Sequence, residues 1–128
     1  MDNEEVRLVV VDDDVDTADV LAELLRLEGY SVRVGHDAAQ ALALVADFSP
    51  LGVLLDLGLP DQDGLDVARR LRVEADPSLV LVAVTGRASE REKTAALAAG
   101  FDFVIAKPVS ISLLEAIFPP ANRPAVGP

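Results

Sequence analysis

The 128-residue sequence has no cysteine, and only 4% of its residues are aromatic. Without cysteine the chain has neither a disulfide framework nor thiol chemistry. Because 51% of the residues are hydrophobic while so few are aromatic, the core is predicted to be aliphatic. A chain of this length is expected to form one domain.

Basic residues are also scarce. Lysine and arginine total 11 against 22 acidic residues, which gives a net charge of -11. Phosphate contacts need a basic surface, so direct binding to nucleic acid or to anionic membranes is not expected. The acidic balance suits metal cations and basic partner surfaces instead.

Long apolar runs are absent as well. The longest are too short to span a bilayer, and the acidic amino terminus lacks the apolar core of a signal peptide. We therefore expect a soluble, cytoplasmic protein.

Short apolar runs alternate with segments of helical periodicity along the chain. Strands are predicted at 7–11, 30–34, 51–55, 79–84 and 103–106. Helices are predicted at 16–28, 38–48 and 65–74, then from a Ser89–Glu92 capping box to 99, and from Ser110 or Ser112 to 118. The second strand alternates apolar and polar residues, which is typical of an edge strand.

Five strands that alternate with five helices predict a doubly wound α/β fold, a parallel sheet with helices on both faces. In such sheets, ligands bind at the carboxyl ends of the strands, where the strand order reverses. Four predicted strands end in a chemically capable side chain. These are Asp12 and Asp13, Asp56, Thr85, and Lys107. The fold is therefore expected to bring them to one edge.

The predicted edge has a chemistry that suits a phosphoryl group. Two carboxylates about 4 Å apart repel by roughly 4 kcal/mol at an effective dielectric constant of 20. A hard divalent cation relieves that repulsion, and oxygen ligands favour Mg²⁺. With Lys107 and the Thr85 hydroxyl on the phosphoryl oxygens, Asp56 could attack phosphorus and form an aspartyl phosphate.

Four motifs occur at strand ends and in a fixed order, and together they span about residues 7 to 118. They are Val11-Asp12-Asp13, Leu55-Asp56-Leu57-Gly58-Leu59-Pro60 with Gly64, Val84-Thr85-Gly86, and Lys107-Pro108. With this set the chain resembles the response-regulator receiver domains of two-component signalling. The resemblance implies a flavodoxin-like sheet in the strand order 2-1-3-4-5.

The resemblance also implies a role for each residue. Asp56 is the implied phosphoacceptor, and Thr85 and Lys107 are implied to contact the phosphoryl oxygens. The implied Mg²⁺ ligands are Asp12, Asp13, Asp56 and the carbonyl of Gly58. A cis peptide is implied before Pro108. The implied phosphodonor is a phosphohistidine on a sensor histidine kinase or a histidine phosphotransfer protein, and a homodimer is left open.

A protein of this kind is a signalling receiver and not a turnover enzyme, because it catalyses only its own phosphorylation and dephosphorylation. Residues 1–118 are expected to form the receiver domain. Residues 119–128 contain four prolines and no apolar periodicity, so they are expected to form a flexible tail or a linker stub.

Two positions depart from the family pattern. Val104 stands where an aromatic residue that moves with the threonine is common, and Gly86 stands where alanine is more usual. Val104 keeps a second hypothesis open, namely an interaction module that works without phosphorylation.

Two other classes fit the sequence less well. An aspartate-based phosphatase needs a second acid two residues after its nucleophile, and that position is Gly58. A flavin or nucleotide carrier needs a Gly-, Ser- or Thr-rich loop after the first strand, where this chain has aspartates.

Overall fold

The computed structural model describes residues 5–120, in which five strands alternate with five helices. The strands are β1 (Arg7–Val11), β2 (Ser31–Gly35), β3 (Gly52–Asp56), β4 (Val80–Thr85) and β5 (Phe103–Ala106). The helices are α1 (Val15–Leu27), α2 (Ala38–Phe48), α3 (Gly64–Glu74), α4 (Glu90–Ala99) and α5 (Ile111–Ile117). From residue 121 onward, the predicted tail lies outside the described residues.

The five strands form one parallel sheet in the order β2-β1-β3-β4-β5. The predicted doubly wound fold and its strand order are thus confirmed. From β1 the chain crosses to β2 on one side and then returns to β3 on the other, so the order reverses at this pair. The carboxyl ends of β1 and β3 therefore lie side by side.

The core consists of two aliphatic layers, one on each face of the sheet. Helices α2, α3 and α4 cover the first layer, and α1 and α5 cover the second. Successive residues of β1 alternate between them, since Val9 belongs to the first layer and Val10 to the second. A fully buried valine or leucine contributes about 1.5–3 kcal/mol relative to an exposed one. No helix within residues 5–120 has the length and apolar composition needed to cross a membrane.

Strand β2 lies at one edge of the sheet, as its alternating pattern predicts. Val32 is buried and Arg33 is exposed. The strand begins at Ser31, one residue later than expected, because Gly29 turns the chain with a positive φ of 104° and Tyr30 packs into the second layer. The Tyr30 hydroxyl donates a hydrogen bond to the carbonyl of Phe118.

Each helix begins after a capping side chain. The caps are Asp14, Asp37, Asp63, Ser89 and Ser110. Helix α3 begins at Gly64, one residue before the predicted start, because Asp63 caps it. Helix α5 is capped by Ser110 and not by Ser112. Half of the predicted capping box is present, because Ser89 accepts from the amide of Glu92 at 3.2 Å. The Glu92 carboxylate, however, accepts from a residue outside its own helix.

Arg72 on α3 holds the carboxyl end of α4. Its guanidinium donates to the carbonyl of Gly100 at 2.8 Å, to that of Leu79 at 2.6 Å and to the carboxylate of Asp102 at 2.6 Å. Asp102 also accepts from the amide of Leu81 at 2.8 Å. One arginine therefore connects α3, the start of β4 and the turn that follows α4.

Gly52 lets the ring of Phe118 lie against the backbone of β3. A Cβ atom at this position would overlap the ring, which is 1% exposed and has no room to move outward. A Cβ atom at Gly86 would meet nothing within 4 Å. Packing therefore requires glycine at position 52, whereas position 86 has space for a side chain.

We expect Gly52→Ala to lower the free energy of unfolding by about 1–3 kcal/mol, because the added methyl group overpacks a filled site. Gly86→Ala is the matched control and is expected to change it by less than about 0.5 kcal/mol. Urea unfolding of both variants and the parent measures the difference. Equal transition midpoints for the two variants would contradict the packing argument.

Candidate functional site

Three carboxylates meet where the strand order of the sheet reverses. Asp12 and Asp13 follow β1 directly, and Asp56 is the last residue of β3. Asp12 and Asp56 are buried, at 6% and 8% exposure, whereas Asp13 is exposed. One oxygen atom of each lies within 4.8 Å of the others. The three acids predicted from the strand ends are thus brought together, in a group that could hold a metal ion.

Lys107 reaches this carboxylate group from beyond β5. Its ammonium nitrogen lies 3.1 Å from Oδ2 of Asp56 and 3.2 Å from Oδ2 of Asp12. Its amide donates to the carbonyl of Thr85 at 2.9 Å, and its peptide bond to Pro108 is cis. One cation is therefore shared by two buried anions.

The charges at this site perturb one another. Burial raises the pKa of Asp12, and the charge of Asp56 raises it further, against the opposing effects of the Asp14 amide and of Lys107. Burial acts to lower the pKa of Lys107, but its hydrogen bonds and charge interactions with Asp56 and Asp12 outweigh burial and raise that pKa. Lys107 therefore stays protonated and provides one positive charge to both Asp12 and Asp56.

The loop between β3 and α3 fixes the other oxygen of Asp56. The amide of Gly58 donates to Oδ1 of Asp56 at 3.0 Å. Farther along the loop, Asp61 accepts from the amides of Ala38 and Ala39 at 2.8 and 3.2 Å, so it caps the start of α2. The sequence predicts Asp61 only as a turn residue, because a cap supplied by a distant loop has no local signal. The role of the Gly58 carbonyl as a metal ligand stays a prediction.

Thr85 lies at the same edge of the sheet, but its hydroxyl is bonded elsewhere. The preceding residue, Val84, packs in the second layer, so alternation places Thr85 on the face covered by α4. Its Oγ1 lies 3.2 Å from the carbonyl of Arg87 and 3.2 Å from the carboxylate of Glu92, and accepts from the amide of Arg87 at 3.0 Å. Contact between Thr85 and a phosphoryl group stays a prediction.

The unusual residue of β5, Val104, is half-buried and packs against the first core layer. Phe103 beside it is 43% exposed, and alternation directs it to the other face of the strand. The aromatic side chain closest in sequence to position 104 is therefore not on the face where an aromatic partner for Thr85 would have to lie.

An open groove of about 620 Å³ adjoins Asp56 and Lys107. Its walls include apolar side chains of α1 and the segment after β5, among them Val20, Leu24 and Val109. Val20 is 59% exposed and Leu24 is 43% exposed. An apolar surface thus lies directly beside the carboxylates.

A doubly wound sheet with a carboxylate–lysine site at its strand reversal defines the class of this protein. The profile of the response regulator receiver domain family matches residues 8–118. The chain belongs to this family.

The relatives of the chain agree with this assignment. It is 40% identical over 111 residues to the response regulator MprA of Mycobacterium bovis, covering 87% of this chain and 48% of that protein. The chain therefore spans about half the length of the curated relatives it matches. It is also similar to a CheY-like receiver domain from Methanospirillum hungatei, with a TM-score of 0.81 and 33% identity over 89% of this chain and 91% of that one.

A further similar structure is a response regulator from Burkholderia pseudomallei with a phosphorylated aspartic acid, a calcium ion and citrate. Its TM-score is 0.81 at 30% identity, and the match covers 92% of this chain and 69% of that one.

We expect Asp12→Asn to stabilise the metal-free protein at neutral pH, because it removes a charge that is buried and lies beside Asp56, and it keeps an oxygen for the Asp14 amide. At low pH, Asp12 is protonated in both the folded and the unfolded chain, so the gain should vanish. As the pH rises, Asp12 loses its proton in the unfolded chain before it does so in the folded protein, where its pKa is raised. The parent therefore loses stability relative to the variant, until the pH has passed the pKa of Asp12 in the folded state. Thermal unfolding against pH, with chelator present, measures this.

The control for this prediction is Asp19→Asn, which removes an equal charge from the exposed surface of α1. A stabilisation by Asp12→Asn no larger than that of Asp19→Asn would contradict the explanation by burial and repulsion of the Asp12 charge. So would a gain that is independent of pH.

Proposed function

We propose that this domain accepts a phosphoryl group on Asp56 in a Mg²⁺-dependent reaction and thereby changes its interactions with partner proteins. The observation that carries the proposal is the environment of the Asp56 carboxylate. One oxygen accepts from the Gly58 amide, the other contacts Lys107, and two further carboxylates lie beside it. The related Burkholderia protein, with its phosphorylated aspartic acid, supports the proposal.

The donor set fits a hard divalent cation. Carboxylates of Asp12, Asp13 and Asp56 with the carbonyl of Gly58 are the oxygen ligands that such an ion takes. Three carboxylates carry more negative charge than Lys107 alone offsets, and burial together with the charge of Asp56 raises the pKa of Asp12. When bound, Mg²⁺ supplies positive charge to the non-bridging phosphoryl oxygens.

The side chains of the site then have separate tasks. Asp56 is the nucleophile, and its attack forms a P–O bond as the P–N bond of the phosphohistidine breaks, with the electron pair returning to the imidazole nitrogen. Lys107 remains protonated and stabilises charge on the phosphoryl oxygens. The Gly58 amide keeps the carboxylate oriented. Attack of water on the acyl phosphate later restores Asp56, so the domain catalyses only its own modification.

The donor that fits this site is a sensor histidine kinase or a histidine phosphotransfer protein in a phosphorelay. The groove with exposed Val20 and Leu24 provides an apolar surface for such a protein beside Asp56. We place the reaction in the cytoplasm. We assign residues 1–118 to the receiver unit and 119–128 to a tail or linker.

A second candidate is an interaction module that works without phosphorylation. It is favoured by Val104, which lacks an aromatic ring to follow Thr85, and by the Thr85 hydroxyl, which is bonded away from Asp56. The carboxylate group and the contact between Lys107 and Asp56 favour the first candidate.

Incubation with acetyl phosphate and Mg²⁺, followed by intact mass measurement, separates the two candidates. We expect one added phosphate, lost in Asp56→Asn and after chelation of the metal. Asp63→Asn is the matched control, because Asp63 is an exposed helix cap and its variant should still gain one phosphate. An unchanged mass of the parent at saturating donor would overturn the phosphoacceptor proposal.

A further inference from the structure

The Thr85 hydroxyl uses its hydrogen-bonding capacity within the β4–α4 connection. It has one proton to donate, and two acceptors lie at 3.2 Å, the carbonyl of Arg87 and the carboxylate of Glu92. It also accepts from the amide of Arg87 at 3.0 Å. A hydroxyl cannot direct the same proton to Glu92 and to a phosphoryl oxygen on Asp56. The present arrangement therefore excludes the phosphoryl contact.

Glu92 is the only side chain in the described part of the chain that bonds the Thr85 hydroxyl. It is half-buried in the first turn of α4, and a hydrogen bond to its charged carboxylate is stronger than one to a neutral carbonyl. Val104 has no polar atom and packs in the first core layer, so β5 cannot replace this bond. Any coupling through the hydroxyl thus leads to α4.

Helix α4 is anchored unevenly. Its carboxyl end is fixed by the bond from Arg72 to the carbonyl of Gly100. Its buried residues are only Ala96 and Ala99, and alanine removes little apolar surface from water. The amino-terminal turn is held by Ser89 and by the contact between Glu92 and Thr85. No residue of that turn is fully buried, whereas Ala96 and Ala99 are buried farther along the helix, so moving the turn would expose little apolar surface.

We propose that Glu92 is a positioning residue that holds the Thr85 hydroxyl away from Asp56 in the unphosphorylated domain. When Thr85 turns to a phosphoryl group, Glu92 loses its partner and the first turn of α4 is released. Phosphorylation of Asp56 then favours the state in which the first turn of α4 is released, and the contact between Glu92 and Thr85 favours the state in which it is held. The inference rests on the proposed phosphorylation of Asp56 and on the expected contact of Thr85 with the phosphoryl group; what it adds is the role of Glu92.

Glu92→Ala is expected to raise the rate of Asp56 phosphorylation by acetyl phosphate about 5- to 10-fold, because the hydroxyl no longer has to leave a charged acceptor. Glu90→Ala is the matched control. It makes the same truncation in the same turn, but the Glu90 side chain is 93% exposed and its ion-pair distance to Lys93 is 3.7 Å. We expect it to change the rate less than twofold. Intact mass against time at saturating Mg²⁺ gives both rates.

Two further variants separate positioning from a general effect on the helix. Glu92→Gln keeps an oxygen that accepts from Thr85, so its rate should return toward that of the parent. In a Thr85→Val background there is no hydroxyl to release, and Glu92→Ala should then give no further increase. A persistent increase in that background would overturn the inference, since the effect would not act through Thr85.

The outcomes test the role of Glu92 separately from the proposed phosphorylation of Asp56. If the parent gains phosphate and Glu92→Ala behaves as Glu90→Ala does, the role of Glu92 is overturned while the proposed function stands. If the parent gains no phosphate, the proposed function is overturned and the role of Glu92 falls with it. Rate increases in Glu92→Ala that vanish in the Thr85→Val background support both.

Discussion

Repulsion among three carboxylates at one edge of the sheet is the constraint on which the site depends. Asp12, Asp13 and Asp56 lie within 4.8 Å of one another, and Lys107 is shared by two of them. Folding places them there because β1 and β3 are neighbours at the strand reversal. The aliphatic layers provide the stability that keeps these charges close. The same crowding makes the site attractive to cations.

The fold could be predicted from the sequence because its signals are local and repeated. Apolar runs of β4, the alternation in β2 and glycines after helices each report on neighbouring residues. The site residues followed from the fold, since parallel strands deliver their carboxyl ends to one edge. The acidic group and Lys107 could thus be predicted before any side-chain position was known.

Side-chain partners were less predictable than residue positions. The Ser89–Glu92 spacing predicted a capping box, but the Glu92 carboxylate bonds to Thr85 because β4 ends beside the first turn of α4. Asp61 likewise caps a helix that begins far from it in sequence. Both contacts depend on which elements meet in space, and no local pattern encodes that. The direction of Thr85 was accessible in part, because alternation along β4 already separates it from Val84.

The contact between Phe118 and Gly52 gives the domain a spatial polarity. Gly52 is the first residue of β3 and Asp56 is the last, so the end of α5 is fixed at the pole opposite to the reactive carboxylate. Four residue steps along β3 separate the two poles by about 13 Å. The described part of the chain ends at residue 120, two residues beyond this contact. A structural change at Asp56 would therefore have to cross the length of the sheet to reach the end of α5.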